Sequence, residues 1–175
     1  MLNCFVRPVL KRTLRGRKSQ YRGNVVFPRM VAPVFDTTTR HALVDGWYDA
    51  TLLRHVMDYV SARRAVAEAV CLDVGANVGF HTLHYAQTFG RVYAFEPNPY
   101  AFDLLVLNLR YSGKTNVQTI NAAIAPQGKR YRMVEDEAWN SGECYLVETG
   151  QEDTRVTPGT VIKAWGPDEL ERMLR

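Results

Sequence analysis

The sequence predicts an α/β fold: a doubly wound, mainly parallel sheet, shortened at its C-terminal end and carrying an antiparallel extension. Three observations point there. Short apolar runs alternate with helix-period stretches between Ala69 and Ala125, a glycine turn joins the first run to the helix behind it, and beyond Ala125 the rhythm changes to runs able to pair antiparallel.

Taken in order, "RGNVVFPRMVAPVFDTTT" mixes β-branched residues with Pro28 and Pro33 and predicts short edge strands or an extended lead-in. A helix follows Asp49, expected as its N-cap, with Leu52, Leu53, Val56, Met57 and Val60 on one stripe that should cover a sheet face. "AVCLDVG" is continuous enough for a strand buried on both faces. Leu83, Ala86 and Phe89 resume helical spacing, with Gly90 as the stop. "RVYAFEP" is a second buried strand. Asn98 and Pro99 cap and open a helix through Leu104, Leu105, Leu107 and Leu109 that ends near Gly113, and "NVQTINAAIA" is a third strand. After a turn at Pro126–Gly128, "KRYRMV" and "GECYLVE" are expected to pair antiparallel. "TVIKAW" is a further strand, and Pro167, Asp168 and Glu169 open a last helix with Leu170, Met173 and Leu174 on its apolar side.

A chain of 175 residues, 46% hydrophobic, holds one ordinary core. Its three cysteines, Cys4, Cys71 and Cys144, lie far apart with no Cys-x-x-Cys spacing, which fits a reducing, cytoplasmic setting. No apolar run reaches the roughly 20 residues of a membrane span, and no secretory leader is evident, so a soluble protein is expected. The net charge of +4 is unevenly spread: residues 1–40 carry nine Lys and Arg against Asp36, a local +8 that leaves −4 for the remainder. Residues 1–40 therefore read as a basic arm and lead-in, and residues 41–175 as the α/β domain. The arm is a solvated tail or a contact for an anionic partner such as nucleic acid, the tail being the simpler reading. Pro8 and Gly16 interrupt the helix that a mitochondrial presequence would need.

In an open parallel sheet, ligands bind beyond the carboxyl ends of the strands, where "CLDVGANVGFHT" places Gly75 and Gly79. Dinucleotides and S-adenosylmethionine both suit such a turn. Asp73 separates them, because its charge repels a pyrophosphate and attracts the ammonium and sulfonium of S-adenosylmethionine. Asn77 also stands where the dinucleotide pattern needs its second glycine. Glu96, about twenty residues beyond the turn, is placed for the ribose hydroxyls of either ligand. The plainer alternatives are that Glu96 caps the next helix and that Asp73 only complements a helix dipole.

"CLDVGANVGFHT", "VYAFEPNP" and "INAAIA", in this order behind "GWYDATLLRHV", resemble the FkbM-type class I methyltransferases over roughly Gly46 to Trp165. The resemblance implies a Rossmann-like fold, S-adenosylmethionine as cofactor, and O-methylation of a hydroxyl, often on a sugar. It implies that Asp73, Gly75, Ala76, Asn77 and Gly79 line the methionine portion, that Glu96 holds the ribose with Asn98 beside it, and that Asn121 and Ala122 pass near the adenine. Asn140 and Ser141 match a loop that faces the site. Two departures stand out. Tyr48-Asp49 replaces the usual Tyr-Glu, and the chain ends before the family's Asp-x-Glu-Gly strand, so a shortened relative, a truncated product or a partner completing the sheet is expected, with self-association or marginal stability.

The sequence names no catalytic base. His41, Asp49, His81 and His84 are the nearby titratable groups, and the two histidines three apart read most simply as helix-face residues. They lack the partners of a zinc site, so no metal is expected. Cys71 reads as inert core, and Trp47, Trp139 and Trp165 as packing residues. The leading expectation is an S-adenosylmethionine-dependent O-methyltransferase with a small-molecule or glycan acceptor. The alternatives are a non-catalytic nucleoside-binding module and, less favoured, a nucleic-acid methyltransferase guided by the arm. A homo-oligomer fits the uncovered sheet edge.

Overall fold

The computed structural model describes residues 29–33, 36–63, 65–126, 129–134, 144–148 and 161–175. Most of the basic arm, the Asn140–Ser141 loop and the second half of the Pro126–Gly128 turn lie outside these residues.

The chain enters through a helix that the extended lead-in did not anticipate. Helix α1, Thr37–Asp45, starts because Asp36 Oδ1 accepts the N–H groups of Thr38 and Thr39 at 2.7 and 3.4 Å. It stops at Gly46, whose φ of 88° few other residues adopt. The expected extended run is thus corrected at Thr37–Thr39: three threonines favour strand intrinsically, but a satisfied cap decides for helix. The helix crosses residue 40.

Helix α2, Ala50–Ser61, forms as expected, but its start differs. Asp49 has left-handed backbone, φ 50°, and makes no side-chain cap. Of its apolar stripe Leu53 is buried, Met57 and Val60 are half-buried, and Leu52 and Val56 are exposed.

Strand β1, Val70–Val74, runs into helix α3, Phe80–Tyr85; strand β2, Arg91–Phe95, runs into helix α4, Pro99–Tyr111; strand β3 is Val117–Ile120. The three strands form a parallel sheet in the order β1-β2-β3, with Asp73 beside Ala94 and Val74 beside Phe95. One face is covered. Leu53, Leu83, Leu105 and Leu109 pack with Ala94, Ala76 and Trp47 into the largest apolar cluster. On the other face Trp165 lies edge-on to Phe95 at 5.5 Å. Val70, Leu72 and Val74 stay 40–59% exposed there, so β1 is not the doubly buried strand its apolar run implied. An apolar run records composition, and burial is set by neighbours in space; among the described residues β1 is an edge strand.

The predicted third strand breaks after Ile120. Asn121 and Ala122 turn the chain, and strand β4, Ala123–Ile124, pairs in parallel with β8, Ala164–Trp165. "TVIKAW" likewise divides into β7, Val161–Ile162, and β8. The expected antiparallel extension is present: β5, Tyr131–Val134, lies between β6, Tyr145–Glu148, and β7, around Ala123, Met133 and Ile162. Helix α5, Pro167–Leu174, follows, the N–H of its N-cap Gly166 held by Glu169 Oε2 at 2.9 Å.

Candidate functional site

The glycine turn is tied to the tip of the neighbouring strand. Gly75 and Ala76 both donate their N–H groups to Phe95 O at 2.9 Å, which ties the turn after β1 to the end of β2. Three turn residues have left-handed backbone: Gly75 at 79°, Asn77 at 49° and Gly79 at 99°. Asn is among the few residues with a side chain that accept this conformation readily, which explains a turn that keeps its shape with Asn in place of a middle glycine.

The two outer glycines serve different ends. A Cβ on Gly79 would sit 2.8 Å from Leu105 Cδ1, so this glycine lets α4 approach the turn. A Cβ on Gly75 would meet nothing within 4 Å, so this glycine leaves open space before the strand tip.

Both predicted carboxylates are buried at that tip. Glu96 is 6% exposed; its Oε2 accepts the Asn77 N–H at 2.6 Å and its Oε1 the Asn98 N–H at 2.8 Å. Asp73 is 7% exposed, and its Oδ2 accepts the Thr82 hydroxyl at 2.5 Å. Burial pushes the pKa of Asp73 above the ordinary carboxylate range, opposed by the Thr82 hydrogen bond and the nearby His81. Burial also raises Glu96, opposed by its two backbone donors and reinforced by the charge of Asp73. Among the described residues neither acid forms an ion pair with a lysine or arginine. Cys71, two residues before Asp73, is pushed up to about 12 by burial and then by the Asp73 charge, and is a thiol at neutral pH.

The remaining predicted residues gather around this pair. Asn98 Oδ1 caps α4 by accepting from Tyr100 and Ala101 at 2.9 and 3.3 Å, while its Nδ2 reaches Cys144 Sγ at 3.8 Å. Asn121 Nδ2 donates to the carbonyls of Glu96 and Pro97 at 2.8 and 3.3 Å, which brings the end of β3 to the end of β2; Ala122 is fully buried behind it. Asp73, Gly75, Ala76, Asn77, Gly79, Glu96, Asn98, Asn121 and Ala122 therefore share one end of the sheet.

A line of rings flanks the turn on the side of α1 and α2. His41 stacks on Tyr48 at 6.3 Å, Tyr48 on His81 at 5.4 Å, and His81 meets Tyr85 at 6.1 Å. His84 lies edge-on to Trp47 at 5.7 Å, and its burial lowers its affinity for a proton.

The sequence reading missed Asn108. This fully buried amide accepts the Val31 N–H at 2.6 Å and donates to the carbonyls of Val31 and Val78 at 2.9 and 2.8 Å. It fastens the lead-in and the glycine turn to α4. A signal was present: Asn108 lies three residues after Leu105 on the buried stripe, where a polar residue must find partners.

The site suits a cationic nucleoside better than an anionic one. Among the described residues two buried acids without a lysine or arginine partner oppose phosphate, the open space at Gly75 admits a ligand against backbone, and Asn77 Oδ1 and His81 Nε2 are buried atoms with no hydrogen-bond partner.

A parallel sheet with a glycine turn and an acid at the next strand tip defines a Rossmann-like α/β protein. The sequence model of the family described as the methyltransferase FkbM domain matches residues 73–171, more than half of the chain, and the chain belongs to that family. No curated protein matches it. Among solved structures, it is similar to precorrin-6y C5,15-methyltransferase from Geobacter metallireducens, with 22% identity, 61% of this chain and 52% of that one covered, and a TM-score of 0.39. For coclaurine N-methyltransferase bound to N-methylheliamine and SAH the figures are 18%, 67%, 43% and 0.39. For the 23S rRNA methyltransferase ErmE they are 22%, 45%, 32% and 0.36. The matched part spans 32–52% of the length of these three proteins. Among the described residues no helix is long and apolar enough to cross a membrane.

Proposed function

We propose that the chain binds S-adenosylmethionine at the carboxyl ends of β1 and β2 and serves methyl transfer to a hydroxyl of a carbohydrate or related small molecule. The observation that carries this reading is the pair of buried carboxylates, Asp73 and Glu96, on adjacent strand tips without a lysine or arginine partner among the described residues. Burial makes each acid costly to ionise, the charge of Asp73 adds to the cost at Glu96, and a cation between them lowers both costs. S-adenosylmethionine, when bound, supplies an electrophilic methyl group. Asp73 offers charge to the cationic end. Glu96, fixed by the Asn77 and Asn98 N–H groups, keeps lone pairs for the ribose hydroxyls. Positioning supplies most of the acceleration in an in-line displacement of this kind, so a rigid turn is the main requirement on the protein. The exposed His41 and half-buried Tyr48 rings give a hydroxylated acceptor a surface beside the turn.

Titration calorimetry with S-adenosylhomocysteine tests the reading. Wild type should give binding heat, and Asp73→Asn or Glu96→Gln should weaken it roughly tenfold or more. No heat with wild type, or unchanged affinity in both variants, refutes it.

A further inference from the structure

Strand β1 is paired on one side. Among the described residues β2 is its one neighbour in the sheet, so the N–H and C=O groups along its other edge meet no strand there. Its apolar flank is open too: Val70, Leu72 and Val74 are 48%, 40% and 59% exposed. On the same face Tyr93 and Phe95, which stand beside Leu72 and Val74 in the register, are 4% and 0% exposed. The layer that covers this face over β2 therefore stops short of β1. An apolar edge strand of this kind is a template for another strand.

We propose that β1 of one copy of the chain pairs antiparallel with β1 of a second copy about a two-fold axis through Leu72, joining two three-stranded sheets into one of six strands in the order β3-β2-β1-β1-β2-β3. The occupant follows from the spelling of the strand. A two-fold axis perpendicular to the sheet keeps the faces of both copies in common, so it passes through a residue and not between two. An axis at Asp73 sets two carboxylates directly opposite each other, and like charges in that position are destabilising. An axis at Cys71 sets Val74 opposite Glu68, which belongs to the helical turn Val66–Glu68 and not to the strand. The axis at Leu72 alone pairs the whole strand, Val70–Val74. Leu72 then faces Leu72 of the second copy, Val70 faces its Val74, and Asp73 faces its uncharged Cys71. Read from either end, the open flank is Val-x-Leu-x-Val, so apolar side chains meet apolar side chains throughout and the patch complements itself, as an isologous contact requires. The pairing does not depend on what binds at the strand tips.

Sedimentation velocity on the 175-residue chain across a concentration series tests the dimer, and cysteine pairing tests its register. Wild type should pass from monomer to dimer as concentration rises, and Leu72→Lys, shown folded by circular dichroism, should raise the dissociation constant roughly tenfold or more. Residues directly opposite on antiparallel strands have Cβ atoms about 4.5–5.5 Å apart, near enough for two cysteines to close a disulfide. Under mild oxidation Leu72→Cys should therefore give a covalent dimer linked 72 to 72, identified by peptide mass spectrometry apart from links through the native cysteines. Val70→Cys should give no 70 to 70 link, whereas the Val70→Cys, Val74→Cys double variant should give 70 to 74. A wild type that stays monomeric throughout overturns the proposal, as does a dimer that folded Leu72→Lys leaves intact. Should Leu72→Lys fail to fold, the links decide: no 72 to 72 link, or a 70 to 70 link as abundant, overturns it.

Discussion

Replacing Asn108 with Leu should loosen both the lead-in and the glycine turn. The substitution keeps a similar volume at a fully buried position and removes three hydrogen bonds, those from Val31 N and to Val31 O and Val78 O. Their losses are unequal. Val31 is 49% exposed, so its two groups can turn to water, each at a net cost of about 0.5–1.5 kcal/mol. Val78 is 1% exposed, and its stranded carbonyl costs about 1–3 kcal/mol. Together these give a destabilisation of about 2–6 kcal/mol, with the added apolar burial of Leu pulling towards the lower end. For a chain of this size that corresponds to a fall in melting temperature of about 4–24 °C. Urea and thermal unfolding followed by circular dichroism measure it. Ser112→Ala is the control, since it removes one exposed bond to Arg29 O and should change stability by less than about 0.5 kcal/mol. A shift for Asn108→Leu no larger than that of the control would refute the assignment of Asn108 as the anchor.

The two outer turn glycines should separate stability from binding. Gly79→Ala places a Cβ 2.8 Å from Leu105 Cδ1 at a φ of 99° and should cost about 2–4 kcal/mol, whereas Gly75→Ala meets only backbone strain of about 1 kcal/mol yet obstructs the ligand side, so it should lose more S-adenosylhomocysteine affinity than stability. Equal unfolding midpoints for the two variants would contradict this. Asp73 and Glu96 are both raised in the folded chain, so the native state holds protons that the unfolded chain has already lost. Their contribution to stability is complete below the ordinary carboxylate range and declines as pH rises through the raised values. A urea series across that range should show a decline in wild type that flattens in the Asp73→Asn, Glu96→Gln double variant; parallel curves would count against the buried pair. Cys71, with its thiol pushed up to about 12, should resist iodoacetamide near neutral pH in the native chain and react after unfolding, as read by peptide mass spectrometry.

The sequence by itself determined the order of elements from α2 to β3, the glycine turn, the acid at the second strand tip and the cap at Asn98. Each of these is local: a spacing, a turn requirement or a side chain bonding its own backbone a few residues away. Glu96 shows where that legibility ends. Its place after β2 could be read directly, but not that both its oxygens hold backbone N–H groups, one of them nineteen residues back in the glycine turn.

Only the tertiary structure decided which apolar surfaces are covered. Val70, Leu72 and Val74 have the composition of a buried strand and stand open, whereas Thr37–Thr39 have that of a strand and form a helix. It also decided that Asn108 is an anchor and that His81 meets both Tyr48 and Tyr85 near Asp73. Burial and long-range pairing depend on which segments meet in space, and the partners of these residues lie as many as 77 positions away along the chain.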